Sequence, residues 1–279
     1  MKKYDKIIKE MINMKYKLLA IDVDGTLVNN KKEITKATID AISKAQKAGI
    51  KVIIASGRPL KGIKKYNEYF EYDSLFITYN GSVVVKKDTE TKILNICITK
   101  ESLKTIINYI FAKKLHFILW ANDNLYVDEI NEQILYYETT SGTKAIKTNI
   151  DSLVCYEVNK IILYGSFEEI CNYKEDIIKM NLDVNLEFST TYYLEIFDKN
   201  ASKGLALETI RKYLQLTKEE VCAIGDNYND VSMLNKAGLS IAMGNSPEDI
   251  KKMCDFVTKT NEEDGVAYAI NNYILGGNN

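Results

Sequence analysis

The strands constrain this chain most. Short runs without polar alternation, LLAIDV from Leu18, KVIIA from Lys51, LFIT from Leu75 and VCAIG from Val221, recur between stretches of helical spacing. A strand that is apolar on both faces must be covered on both, as in a parallel sheet flanked by helices. The opening rhythm is a strand ending near Val23, a helix over 35–49, a strand from Lys51, a helix over 63–70 and a strand from Leu75. The class is therefore α/β.

After Asn80-Gly81 the pattern changes. A strand pair (SVVV, ILNICIT), a helix over 101–114, strands HFILWAN, LYVDE, EVNKIILYG and VNLEFST, and a helix over 168–180 read as two β-α-β units. The alternating rhythm returns with YYLEIFD, a helix from Ser202, VCAIGD, a helix over 232–237, SIAM, a helix after Pro247, FVT and a last helix from Asp264. At 279 residues the chain is about twice a comfortable single-domain length. The expectation is an N-terminal extension 1–16, a discontinuous Rossmann-like parallel-sheet core of 17–85 and 191–279, and an inserted α+β domain, 86–190.

Composition narrows the chemistry. A net charge of −1 provides no basic field for nucleic acid or an anionic membrane. One histidine rules out His-paired zinc motifs, and His116, within LHFILWAN, reads as a packed or edge residue with no catalytic role. Five scattered cysteines without a C-x-x-C pair read as thiols of a reducing compartment. With no long apolar span and no signal-like h-region, the expected location is the cytoplasm. Arg58 and Arg211 are the only arginines, so phosphate must be handled by lysine, backbone amides or metal.

In an open parallel sheet, ligands bind beyond the carboxyl ends of the strands. Those ends deliver Asp22, Val23, Asp24, Gly25 and Thr26; then Ser56, Gly57 and Arg58; then Gly225, Asp226, Asn227, Asn229 and Asp230; Lys203 opens a helix after Phe197-Asp198. Carboxylates converging on one edge need a cation, and oxygen ligands without Cys or His select Mg2+. A hydroxyl, glycine-turn amides and a lysine make a phosphate cradle, which completes the parts needed for phosphoryl transfer. Taken singly, each element also reads as a turn, a strand end or a helix cap.

Asp22-Val-Asp-Gly-Thr26, Ser56-Gly-Arg58, Lys203 at a helix start and Gly225-Asp-Asn-Tyr-Asn-Asp230, in that order, resemble the four motifs of the haloacid dehalogenase superfamily. The insertion after the third strand, preceded by Asn80-Gly81, resembles that of its Cof-type (class IIB) phosphatases. The resemblance implies that Asp22 is a nucleophile forming an aspartyl-phosphate and a Mg2+ ligand. It implies that Asp24 is the general acid and base, with its backbone carbonyl on the metal. Asp226 and Asn227 would complete the metal site, with Asp230 orienting it. Ser56, the Gly57 and Val23 amides, Asn229 and Lys203 would hold the phosphoryl group. Arg58, Asn80 and Gly81 remain candidates for substrate contact or loop bracing. Asn200-Ala-Ser-Lys203 departs from the family's usual glycine and β-branched residue before Ser-Lys, which puts only the local loop shape in question.

The implied activity is Mg2+-dependent hydrolysis of small phosphorylated metabolites such as sugar phosphates, with the insertion as a cap closing over the site. The insertion holds no arginine to grip a second phosphate, which weighs against a phosphomutase or phosphotransferase. Asp24 and the insertion weigh against a phospho-acceptor signalling module. Tyr126, Tyr136 and Tyr137 read as packing. No nucleic-acid or membrane partner is expected, and oligomeric state is left open.

Overall fold

The structure is a computed structural model that describes residues 15–71, 73–149, 153 and 156–276. Residues 1–14 of the expected N-terminal extension, and Cys155, lie outside the described residues. Along the chain, β1 (Leu18–Asp22), α1 (Lys36–Lys47), β2 (Lys51–Ala55), α2 (Leu60–Ile63), β3 (Leu75–Thr78), β4 (Val83–Lys86) and β5 (Lys92–Asn95) come first. Then follow α3 (Lys100–Lys113), β6 (Phe117–Ala121), β7 (Asn124–Val127), α4 (Glu132–Ser141), β8 (Ala145–Lys147), β9 (Val158–Tyr164), α5 (Phe167–Lys179), β10 (Val184–Thr190) and β11 (Tyr193–Asp198). The last elements are α6 (Lys203–Tyr213), β12 (Val221–Gly225), α7 (Val231–Lys236), β13 (Leu239–Ala242), α8 (Glu248–Met253), β14 (Phe256–Val257) and α9 (Gly265–Ala269).

Two compact units form: one of residues up to Gly57, Tyr66–Leu94 and from Ser202 onward, the other of Arg58–Lys65 and Asn95–Ala201. The first is built on an eight-stranded sheet of order β14-β13-β12-β1-β2-β3-β4-β5. It is parallel from β14 to β3, and β4 joins β3 antiparallel. On one face α6, α7 and α8 bury Leu207, Ile210, Met233, Leu234 and Ile250 against Leu18, Ala20, Ile53, Ile77 and Val221. The alternate residues Leu19, Ile21, Val52 and Ile54 are buried as well. Both sides of the central strands are covered, which is why their sequences show no alternation. Each such Leu or Ile contributes about 1.5–3 kcal/mol of burial.

The register of the central strands places the site. Asp22 is paired with Ala55, the residue before Ser56, and Ile21 with Ile224, so β1, β2 and β12 end at one level. Helix starts are fixed by caps: the Thr35 hydroxyl accepts from the Thr38 amide (3.2 Å) and the Ser202 hydroxyl from the Leu205 amide (3.1 Å). The second cap makes Lys203 the first residue of α6.

The second unit is a six-stranded sheet of order β10-β11-β9-β6-β7-β8. Leu103, Ile106 and Ile110 of α3 and Ile170 and Ile177 of α5 pack on Leu119, Ile161, Leu163, Leu194 and Ile196. His116 lies half-exposed, its Nδ1 2.6 Å from Asp128 Oδ2 and its ring stacked on Tyr164. It lies just before β6 and is not packed in the core. Tyr137 is partly buried, and its hydroxyl accepts from Trp120 Nε1 at 3.1 Å, in keeping with a packing role.

Sheet membership corrects the expected boundaries at 85/86 and 190/191. The strand pair after Gly81 extends the eight-stranded sheet, whereas YYLEIFD lies in the six-stranded sheet between β10 and β9. The reason is local: β10 and β11 are joined by a tight turn, which favours an antiparallel hairpin, while the fully buried β11 reads like a parallel core strand. Helix α4 has little helical signal in its sequence, because its Tyr-Tyr-Glu-Thr-Thr stretch is poor in helix formers. The helix expected over 63–70 is instead the short α2 followed by 3-10 turns over Lys64–Tyr69. No helix among the described residues is long and apolar enough to cross a membrane.

Candidate active site

Asp22 closes β1, and the chain then turns tightly: the Leu27 amide donates to the Asp22 carbonyl (3.1 Å) and the Val28 amide to the Val23 carbonyl (3.1 Å). Gly25 holds this turn at φ 84°, where a Cβ would lie 2.4 Å from Asp226 Oδ2. Only glycine lets the turn approach Asp226 so closely. Beyond β12, the Asp226 and Asn227 amides donate to Asp230 Oδ2 at 3.0 and 3.1 Å, tying down the turn that leads into α7. Asp230 is fully buried.

At the centre is Lys203, completely buried, its Nζ 2.6 Å from Asp22 Oδ1 and 2.6 Å from Asp230 Oδ1. Oxygens of Asp22, Asp226 and Asp230 all lie within 4.8 Å of one another. If all three are ionised, one ammonium leaves two negative charges uncompensated. Burial pushes the Asp22 carboxyl well above the usual carboxylate range; Asp230 and Asp226 act the same way, and Lys203 offsets part of the effect. Burial and then the charge of Asp230 push Asp226 up to about 6, against the Thr26 hydrogen bond and Lys203. Burial works against the charge on Lys203, but Asp22 and Asp230 outweigh it and hold its pKa above the ordinary value.

This donor set fits a hard divalent cation. The three carboxylates offer oxygen alone, and their spread compares with the ~4.2 Å between opposite ligands at the ~2.1 Å bond length of Mg2+. The raised carboxyls are groups that a bound cation would return to the ionised form.

Asp24 stands apart from the buried three. Its half-exposed carboxylate pairs with Lys32 Nζ at 2.9 Å. Ser56 is buried; its amide donates to the Ile77 carbonyl at 2.9 Å and its carbonyl accepts from the Asn80 amide at 3.2 Å. Asn229 Nδ2 donates to Asn80 Oδ1 at 3.3 Å. Asn227 caps its own turn, its Oδ1 accepting from the Tyr228 amide at 2.8 Å. Arg58 belongs to the other compact unit, where its Nη1 donates to the Gly62 carbonyl at 3.5 Å. The loop before Lys203 is closed by Asp198 Oδ1, which accepts from the Asn200 amide and side chain (2.9 and 3.0 Å). The departure at 200–202 thus coexists with an ordered loop.

Three contacts have no counterpart in the sequence reading. Thr26 Oγ1 donates to Asp226 Oδ1 (2.9 Å), Lys32 pairs with Asp24, and Asn245 Nδ2 donates to the Gly25 carbonyl (2.9 Å). Thr26 lies inside a motif and was visible as such. Lys32 and Asn245 belong to no motif.

Comparison with known proteins decides the family. Residues 19–270 match the haloacid dehalogenase-like hydrolase family. The chain belongs to that family. Phosphatase YwpJ of Bacillus subtilis is 30% identical over 90% of this chain and 98% of its own. The 5-amino-6-(5-phospho-D-ribitylamino)uracil phosphatase YcsE of the same organism is 29% identical over 93% and 96%. The crystal structure of TM0651 from Thermotoga maritima superposes with a TM-score of 0.84 at 34% identity, covering 92% of this chain and 97% of that one. This haloacid dehalogenase-like hydrolase is a phosphatase and acts on phosphorylated substrates.

Proposed function

We propose that this enzyme hydrolyses small phosphorylated metabolites, sugar phosphates or similar phosphomonoesters, in a Mg2+-dependent reaction through an aspartyl-phosphate on Asp22. The observation that carries the proposal is the buried bridge of Lys203 between Asp22 and Asp230, with Asp226 alongside. An ammonium 2.6 Å from Asp22 fixes the position of one carboxylate oxygen.

Asp22 attacks phosphorus and the bond to the leaving oxygen breaks, while Asp24 gives that oxygen its proton. Asp24 then takes a proton from water, which attacks phosphorus, and the bond to Asp22 breaks to free inorganic phosphate. Lys203, Ser56, the Gly57 and Val23 amides and Asn229 hold the phosphoryl oxygens as charge develops. Asp22, the Asp24 carbonyl, Asp226 and Asn227 would hold Mg2+, with Asp230 orienting them. A bound Mg2+ supplies neutralisation of phosphoryl charge. We also propose that the Asn95–Ala201 segment serves as the inserted cap domain, and that the enzyme works in the cytoplasm. The phosphorylated ribityl chain in the name of YcsE supports a small polyol-like substrate class.

The test is phosphate release from a panel of phosphorylated metabolites and p-nitrophenyl phosphate, with Asp22→Asn protein as the blank. Release from sugar or polyol phosphates supports the proposal; isomerisation without release would make the enzyme a mutase. Chelation is expected to silence turnover and Mg2+ to restore it.

The raised carboxyls add a pH signature. Folded Asp226 at about 6 holds its proton more tightly than an unfolded carboxyl near 3.8. Without metal, its stabilising effect is fully present below about pH 4 and is lost as pH climbs through about 6, a fall of roughly 2–3 kcal/mol. Mg2+ should flatten that slope. Melting curves at about pH 4.5 and 7.5, with chelator or with Mg2+, check it; parallel slopes in both would contradict it.

A further inference from the structure

The residues that follow β3 adopt a conformation the strand itself does not require. Tyr79, Asn80 and Gly81 have φ of 52°, 54° and 96°, so two residues with side chains and one glycine take left-handed backbone in succession. Such conformations are costly for non-glycine residues and persist where surrounding contacts enforce them. On either side, the buried hydroxyls of Thr78 and Ser82 have no hydrogen-bond partner among the described residues. The turn is not arranged for its own stability.

Its contacts show what it is arranged for. The Asn80 amide donates to the Ser56 carbonyl at 3.2 Å, and Asn80 Oδ1 accepts from Asn229 Nδ2 at 3.3 Å. The same oxygen lies against Gly57, where an added Cβ would meet it at 2.5 Å. Gly81 lies so close to the start of α6 that a Cβ there would be 2.1 Å from the Ser202 carbonyl oxygen and 2.6 Å from the Lys203 nitrogen. One three-residue turn therefore touches the Ser56-Gly57 loop, Asn229 and the backbone carrying Lys203. These segments come from three distant parts of the chain.

We propose that Asn80 is a positioning residue: through its amide and side chain, the Tyr79–Gly81 turn sets the Ser56-Gly57 loop and Asn229 as one phosphate-binding unit. The proposal rests on the phosphatase reading above and adds a group that does not itself touch phosphate. Left-handed backbone puts the Asn80 amide beside Gly57 while its main chain stays bonded to Ser56. Asparagine tolerates that backbone better than most residues.

The test uses the full chain with Mg2+ and p-nitrophenyl phosphate, together with calorimetric binding of inorganic phosphate. Asn80→Gly keeps the left-handed backbone and deletes the side chain. It is expected to melt within a few degrees of the parent, to lose about 20-fold in kcat and to bind phosphate about 10-fold more weakly. Gly57→Ala pushes the Asn80 amide aside and should cause a similar loss. Added to Asn80→Gly, the same substitution should cost less than about 3-fold more, because the clash is gone. A kcat for Asn80→Gly within about 3-fold of the parent, or losses that multiply in the double variant, would overturn the proposal. If Asn80→Gly does not fold, Gly57→Ala decides alone, and a loss under about 3-fold overturns it. A parent that binds phosphate but releases none from the substrate defeats the phosphatase reading; the variants' phosphate affinities then still decide the role of Asn80.

Discussion

Asp22→Asn protein is expected to fold and to lose phosphatase turnover by at least about 10^4-fold. An amide oxygen is a poor nucleophile toward phosphorus, and no other carboxylate has the position of Asp22: Asp230 is held by two backbone amides and by Lys203, and Asp226 by Thr26. The fold should survive because the substitution removes a charge from a crowded site. Burial and the neighbouring aspartates already disfavour ionised Asp22. In chelator the variant should therefore melt at or above the parent temperature at neutral pH. Phosphate release and thermal melting on one preparation check both halves; appreciable residual turnover, or a large drop in melting temperature, would contradict the reading of this residue.

The second large effect concerns Lys203. Its ammonium is completely buried and paired with both Asp22 and Asp230. Replacing it with methionine fills similar volume but leaves two buried carboxylates without their cation. Removing one partner from a buried ion pair costs about 3–5 kcal/mol, chiefly because the remaining charge is uncompensated. The loss should depend on pH in a definite direction. With the ammonium gone, nothing offsets the burial that already pushes the Asp22 carboxyl up, so the variant is closest to the parent in acid and falls away as pH rises past neutrality. Turnover should fall by about 10^3-fold or more, since the group that aims Asp22 is lost. Urea titrations in chelator at about pH 5 and pH 8 check the first point; a pH-independent deficit would contradict it. Lys203→Arg is not a conservative substitute at a fully enclosed site shaped for a point charge.

What was legible in the sequence follows from parallel-sheet geometry. Asp22, Ser56 and Asp226 could be placed together because β1, β2 and β12 are in register and each run ends at the same edge. Lys203 was readable as a helix start because Ser202 caps α6. Other features depend on side chains far apart in the chain, which no local spacing encodes. The pairing of Asp24 with Lys32, the bond from Asn245 to the Gly25 carbonyl and the grip of Asn80 on Asn229 are of this kind. The sequence of β11 reads as a strand of the first sheet because burial on both faces looks alike in either sheet; the short turn from β10 pairs it in the second. Asn227 shows the same limit: its side-chain oxygen accepts from the Tyr228 amide, a contact its motif position does not announce, and that oxygen keeps a second lone pair.

The most direct test of the central claim is chemical trapping of the enzyme during turnover. Enzyme quenched with borohydride in the presence of Mg2+ and substrate should carry homoserine in place of aspartate, because an acyl phosphate is reduced where a free carboxylate is not. Peptide mass spectrometry is expected to find that change at Asp22 alone, only with substrate present, and more strongly in Asp24→Asn with p-nitrophenyl phosphate, whose leaving group departs without a proton while hydrolysis of the intermediate is slowed. Unmodified Asp22 under conditions of steady phosphate release, or modification at another carboxylate, would contradict the account.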